Sequence, residues 1–147
     1  MLMSKMLFAG SGFAALLLVA APGAHAAENY EITKTDVKAT VGAKTVASVT
    51  IAAKKGWHVN GEAPLSMKLV PEAGIVVEKN RLTRADLAES TEDRARFDVA
   101  FTAGEAGKKT IIAEASFVMC QAATCQPVKE KITLAVDALP AAKAAKK

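Results

Sequence analysis

Along most of this chain, hydrophobic and polar residues alternate one for one. Ala47, Val49, Ile51 and Ala53 share one parity, with Ser48 and Thr50 on the other. Phe97, Val99 and Phe101 oppose Arg96, Asp98 and Thr102. Ile111, Ala113, Ala115, Phe117 and Met119 make a longer stripe, and Ile132, Leu134 and Val136 oppose Lys131 and Thr133. Tyr30 to Val41 alternates more loosely. Successive side chains of a strand point to opposite faces, so a period of two marks strands that bury one face and wet the other. Turn residues interrupt the runs at Val41–Lys44, Lys54–Gly56, Gly61–Pro64, Pro71–Gly74 and Gly104–Lys108. Arg84 to Glu92 is long enough for one helical turn and too short to form a layer. About eight short strands at this spacing predict an all-β fold, an immunoglobulin-like sandwich of two antiparallel sheets.

The first residues break the alternation. Lys5 is followed by an uncharged apolar stretch, Leu7 to Ala20, then by Pro22 and by the small-x-small sequence Ala24-His25-Ala26. That order is the pattern of a cleavable export signal. Residues 1–26 are therefore expected to be removed in a Sec-type export to the periplasm. The apolar run is shorter than the roughly 20 residues of a spanning helix, so no stable membrane insertion is expected after cleavage. The remainder, residues 27–147, is the size of one domain. Residues 27–139 are read as that domain, and residues 140–147 (PAAKAAKK) as a disordered Ala/Lys tail.

Charge changes the picture little. The whole chain is +4, but Lys5, Lys143, Lys146 and Lys147 lie in the signal and tail. Without them, 15 basic residues balance 15 acidic ones. Such a balance gives no reason to expect nucleic acid as a partner.

The chemistry centres on two cysteines, Cys120 and Cys125, in the segment Ser116 to Val136. An even pair in an oxidising compartment is expected to form a disulfide. The segment reads as strand, short loop at Gln121–Thr124, and strand. If Phe117 and Met119 point inward, Cys120 points outward; if Ile132 and Leu134 point inward, an unbroken strand puts Cys125 outward too. A bulge near Pro127 would spoil that parity. Two roles remain open. A bond closing a six-residue loop stabilises by roughly 2 kcal/mol, a poor staple beside the about 4.7 kcal/mol of a 100-residue loop. Alternatively, an exposed sulfur in such a bond is open to a visiting thiolate. A low thiol pKa needs a nearby cation, and Lys129 is the nearest in sequence on that face.

Gly56-Trp57-His58-Val59-Asn60, Leu69, Pro71, Gly74-Ile75-Val76-Val77 and Cys120-x4-Cys125-Gln126-Pro127 stand in a telling order. In these residues, from about Tyr30 to Asp137, the chain resembles the N-terminal domain of DsbD, the periplasmic thiol:disulfide interchange family. The resemblance implies an immunoglobulin-like fold and a redox role for Cys120 and Cys125. It further implies partners: a membrane electron donor and thioredoxin-like periplasmic proteins. On that analogy Cys125 takes part in the mixed disulfide and Cys120 resolves it. Well-studied members shield the bond with an aromatic cap loop. The matching stretch here, Lys79 to Ser90, has no aromatic residue, leaving Leu82 or Leu87 to substitute. The sequence also ends at Lys147 without the family's membrane and thioredoxin-like domains, so the expectation is a free domain, one that borrows electrons in trans, or one that has lost the activity. The alternative is a non-catalytic periplasmic binding module with a structural disulfide.

Other chemistries find little support. His58 with Met67, Met119 and the two cysteines would make a soft copper-ligand set, but Met119 fits the core better and no cofactor or metal is expected. Trp57 reads as a core or sheet-edge anchor. Asp86, Glu89, Glu92 and Asp93 read as a solvated acidic stretch. There is no Gly-x-Ser-x-Gly, no second histidine beyond the signal and no Gly-rich phosphate loop, so hydrolase and nucleotide chemistry are not indicated.

Overall fold

A computed structural model describes residues 24–141. The expected signal at 1–26 lies outside them, apart from Ala24–Ala26, as does the tail from residue 142. The chain forms β1 (Ala24–Ala26), β2 (Tyr30–Lys34), β3 (Val37–Thr40), β4 (Lys44–Ala53), β5 (His58–Val59) and β6 (Ser66–Pro71). Then come β7 (Ile75–Val77), β8 (Arg81–Thr83), β9 (Leu87–Ser90), β10 (Arg94–Ala103), β11 (Gly107–Gln121) and β12 (Thr124–Leu139). The first sheet runs β1-β2-β4-β10-β7, with β9 also on β10; the second runs β3-β12-β11-β6-β8, with β5 also on β11. The result is an all-β domain of two sheets, broadly immunoglobulin-like.

The alternating stripes are the reason the sheets meet. Ala47, Val49, Ile51, Phe97, Val99 and Phe101 are fully buried on the first sheet, and Ile111, Ala113, Ile132 and Leu134 on the second. Phe117 and Met119 join this core, and the edge of the Tyr30 ring packs on Phe117 at a centroid distance of 5.1 Å. Period-two residues therefore face one another across a single apolar layer, which supplies the main driving force for folding.

Two expectations need correction. The two sheets are not wholly antiparallel, because β3 pairs parallel to β12 over Val37–Thr40. The chain switches sheets after β2, and Asp36 at the corner accepts the Ala135 N–H and pairs with Lys34 at 2.7 Å. The strands are also not uniformly short. β11 and β12 have 15 and 16 residues and are zipped in unbroken register from Gly107–Ala138 to Gln121–Thr124. Ala24–Ala26, the described end of the expected signal, pairs with Glu31–Thr33 as strand β1. The single turn expected within Arg84–Glu92 is present as a 3-10 turn over Arg84–Asp86, after which Leu87–Ser90 is a strand.

Candidate functional site: the disulfide-tipped hairpin

The tip of the β11–β12 hairpin carries the chemistry. Gln121 pairs with Thr124, leaving Ala122-Ala123 as a two-residue turn. Ala122 has φ of 48°. A positive φ at the first central position belongs to the primed turns that suit the twist of a tight hairpin. Moving one step back along the ladder brings Cys120 directly opposite Cys125. Their Cα atoms are 4.1 Å apart and the sulfurs are bonded. No register shift interrupts the ladder at Pro127, so both cysteines lie on the outer face, opposite Phe117 and Met119. The expected parity is met.

Exposure is not shared equally. Cys125 is exposed, whereas Cys120 is only 3% exposed. The cover over Cys120 comes from far away in sequence. Lys54 to Trp57 turn back on themselves, with Gly56 at φ +85°, a conformation that favours glycine. This turn lays β5 against the end of β11, with His58 opposite Cys120 and Val59 opposite Met119. Asn60 follows. Its N–H donates to the Val118 carbonyl, and its side-chain oxygen accepts the N–H groups of Glu62 and Ala63 at 2.8 and 3.0 Å. With both lone-pair directions of that oxygen used, the amide NH2 is aimed at Cys120 Sγ, 3.4 Å away. Arg84 donates to the carbonyls of Asn60 and Ala63 and so holds the turn from the other side.

A cleft of about 650 Å³ opens beside the bond, lined by His58, Asn60, Glu62, Thr91 and Glu92 together with both cysteines. On β12, Asn29 donates to the Gln126 side chain at 3.1 Å, and the Tyr30 hydroxyl donates to Glu130. Burial, then Glu130, raises the Tyr30 pKa well above that of a free phenol.

The sequence-predicted neighbours fare differently. Lys129 shares the outer face with Cys125 but stands four residues along the strand, about 13 Å away, too far to lower a thiol pKa. Leu82 is buried in the core and Leu87 lies in β9, so neither lines the cleft; of the stretch Lys79–Ser90, only Ser90 does. Met67 and Met119 point into the sandwich, away from the bonded sulfurs, so the copper-ligand set does not assemble. Trp57 packs against the core. Asp86 is tied to Lys79 and Thr83, and Glu89 lies 4.0 Å from Arg96, so the acidic stretch is dispersed. Reading the cysteine segment alone missed His58 and Asn60 as neighbours of the bond, although both stand in the Gly-Trp-His-Val-Asn run that was already singled out.

These features define an all-β domain of two sheets, broadly immunoglobulin-like, with a disulfide at the tip of the β11–β12 hairpin. Comparison with known proteins adds similarity of shape only. No protein-family profile and no curated protein matches the chain. Among solved structures it is similar to AggA, the major subunit of aggregative adherence fimbriae type I from Escherichia coli. That match has 12% identity and a TM-score of 0.38, over 75% of this chain and 94% of that one. It is also similar to WR4, a C. elegans MSP family member (10%, TM-score 0.39, 74% and 97%). A third is the PapD-like domain 7 of human CEP192 (11%, TM-score 0.37, 90% and 100%). The likeness to DsbD stays with the motifs quoted above and is not extended by these matches. No helix among the described residues is long and apolar enough to cross a membrane.

Proposed function

We propose that the chain is an exported, non-catalytic protein-binding module that receives its partner at the disulfide-tipped end of the sandwich. The observation that carries this reading is the cleft beside Cys120 and Cys125, whose walls come from three separate parts of the chain. The disulfide and the Asn60 turn fix those walls relative to one another, and a fixed concave site loses little entropy on binding. The cleft offers hydrogen-bonding side chains and no paired acid and base, which suits binding better than hydrolytic catalysis.

One observation favours a second reading, thiol–disulfide exchange of the DsbD kind. The two sulfurs are unequal: Cys125 is open and Cys120 is covered and hydrogen-bonded. A partner thiolate would attack Cys125 Sγ, forming a mixed disulfide while the bond to Cys120 breaks. The electron pair leaves on Cys120 as a thiolate, which the side-chain NH2 of Asn60 faces. Cys120 then attacks Cys125 to expel the partner's thiol, or a second thiol of the partner attacks its own half of the mixed disulfide. In the latter case the partner is oxidised and this domain is left as a dithiol.

Measuring the reduction potential of the Cys120–Cys125 bond decides between them. A potential below about −300 mV marks a structural bond and upholds the binding module. A higher potential, together with a mixed disulfide trapped between a Cys120→Ser variant and a thioredoxin-like protein, would replace it with exchange.

A further inference from the structure

The outer face of the second sheet continues away from the disulfide in straight cross-strand rows. Next to Cys120–Cys125 comes Val118–Pro127. The following row is Lys129–Ser116–Ser66–Thr83, and the one after it is Lys131–Glu114–Lys68–Arg81. Beyond that lies Thr133–Ile112–Val70. The two middle rows thus hold four cations and one carboxylate around an open depression of about 420 Å³, whose lining also includes Glu130, the acceptor of the Tyr30 hydroxyl. Lys68 and Glu114 are 3.9 Å apart, while Lys129, Lys131 and Arg81 meet no carboxylate among the described residues. The flanking rows are uncharged and carry the exposed Val70.

The same two lysines sit on an open edge. β3 covers β12 only from Val136 to Leu139, so Thr124 to Ala135 have no strand on that side among the described residues. In an antiparallel ladder, alternate residues turn their main-chain groups outward. The two-residue turn makes Gln121–Thr124 a hydrogen-bonded pair, which places Cys125, Pro127, Lys129, Lys131, Thr133 and Ala135 in the outward set. The Ala135 N–H does point that way, toward Asp36. Pro127, lacking an N–H, stands where an edge tolerates proline. The main-chain groups of Lys129, Lys131 and Thr133 are left to pair with an added strand.

We propose that an extended segment of a partner protein, acidic at every second residue, adds to β12 beside Lys129 and Lys131. Main-chain pairing supplies the register. Alternation puts the acidic side chains on the face with Lys129 and Lys131, within the field of Lys68 and Arg81. The uncharged rows on either side suit a protein segment better than a polyanion with charge at every unit. This deepens the binding-module reading by naming the partner's chemistry, and it leads that partner along the strand toward Cys125.

The test uses a short synthetic peptide of alternating Thr and Glu, with its Thr–Lys counterpart as control. Binding is followed by fluorescence anisotropy, and amide exchange by NMR. The acidic peptide is expected to bind, roughly tenfold more weakly at 0.15 M than at 0.01 M salt as the Debye length falls from about 30 to 8 Å. The Lys129→Glu/Lys131→Glu pair should weaken it roughly tenfold, and Lys129→Gln/Lys131→Gln by less. The amides of Lys129, Lys131 and Thr133 should gain protection. Binding without that protection overturns strand addition, and equal binding of both peptides overturns the charge argument. Preferential binding of a DNA oligonucleotide or of anionic vesicles, or self-association through β12, also overturns the proposal. Repeating the titration with the disulfide reduced separates the two ideas: acidic-strand binding that persists stands even if the cleft beside the cysteines proves to have no partner.

Discussion

On the outer face of the first sheet, Arg96 lies 3.3 Å from Asp98 and 4.0 Å from Glu89, Ser48 donates to Asp98, and Lys44 pairs with Glu78 at 2.6 Å. On the outer face of the second, Lys129, Lys131 and Arg81 have no such partners among the described residues, and the disulfide lies one uncharged row away. Inside, the two sheets are alike, with Phe97 and Phe101 facing Phe117 and Met119 in one buried layer. Folding demands only that each strand present an apolar side. The other side is free of that demand, and here the charges at the centre of the first sheet are paired while the second leaves three cations and a disulfide open. On the reading proposed above, the first sheet is the scaffold and the second is the meeting surface.

If the inner faces are equivalent, truncating either one should do equal damage. Phe97→Ala and Phe117→Ala are each expected to cost about 3–5 kcal/mol, read from urea unfolding midpoints. A much smaller loss on one side would break the symmetry of the core. Next in size is the disulfide. Reduction, or Cys120→Ser, should cost at most about 2 kcal/mol, because the closed loop is short and the ladder already holds the strands together. After reduction, alkylation with iodoacetamide should reach Cys125 at least tenfold faster than Cys120, since access governs the rate. Asn60→Ala should cost about 1 kcal/mol through the loss of its turn bonds and should narrow that difference in labelling, which mass spectrometry can follow.

The smallest expected effects come from titration. Hydrogen bonding to Lys34, and also to the Ala135 N–H, holds Asp36 below the usual carboxylate range. Lys79 and Thr83 do the same for Asp86. A lowered folded pKa contributes stability above the unfolded value, near 3.8, which is lost as the pH falls through the folded value. Urea midpoints should therefore drop below about pH 4, less so in Asp36→Asn and Asp86→Asn. Tyr30 works in the opposite sense. Burial and Glu130 raise its folded pKa, so its contribution is full below an unfolded pKa of 10.0 and fades as the pH rises above it. Tyr30→Phe should lose that alkaline component.

Much of this was legible in the sequence, for a physical reason. Period-two patterning is a local property of a strand, so the buried stripes at Ala47–Ile51, Phe97–Phe101, Ile111–Met119 and Ile132–Val136 could be read directly. The shared face of Cys120 and Cys125 followed from the same parity. What parity cannot report is which strand comes to lie alongside. Cys120 has outer-face parity yet is buried, because a two-residue strand and the side chain of Asn60 arrive from 60 positions earlier. Leu82 resembled a cap residue but lies beside β6 in the sheet, opposite Met67 in the ladder, and turns into the core. The parallel pairing of β3 depends on the chain changing sheets at Asp36, which no local pattern encodes.

The continuous zipper of β11 and β12 has one further consequence. When the bond at its end is opened, the paired residues behind it keep the two thiols facing each other across a two-residue turn. Each thiol then meets the other at a far higher effective concentration than any solute can reach. Once one sulfur has been activated by an oxidant that accepts two electrons, its displacement by the second thiol is a first-order step, independent of how dilute the protein is, and the tip returns to its latched form.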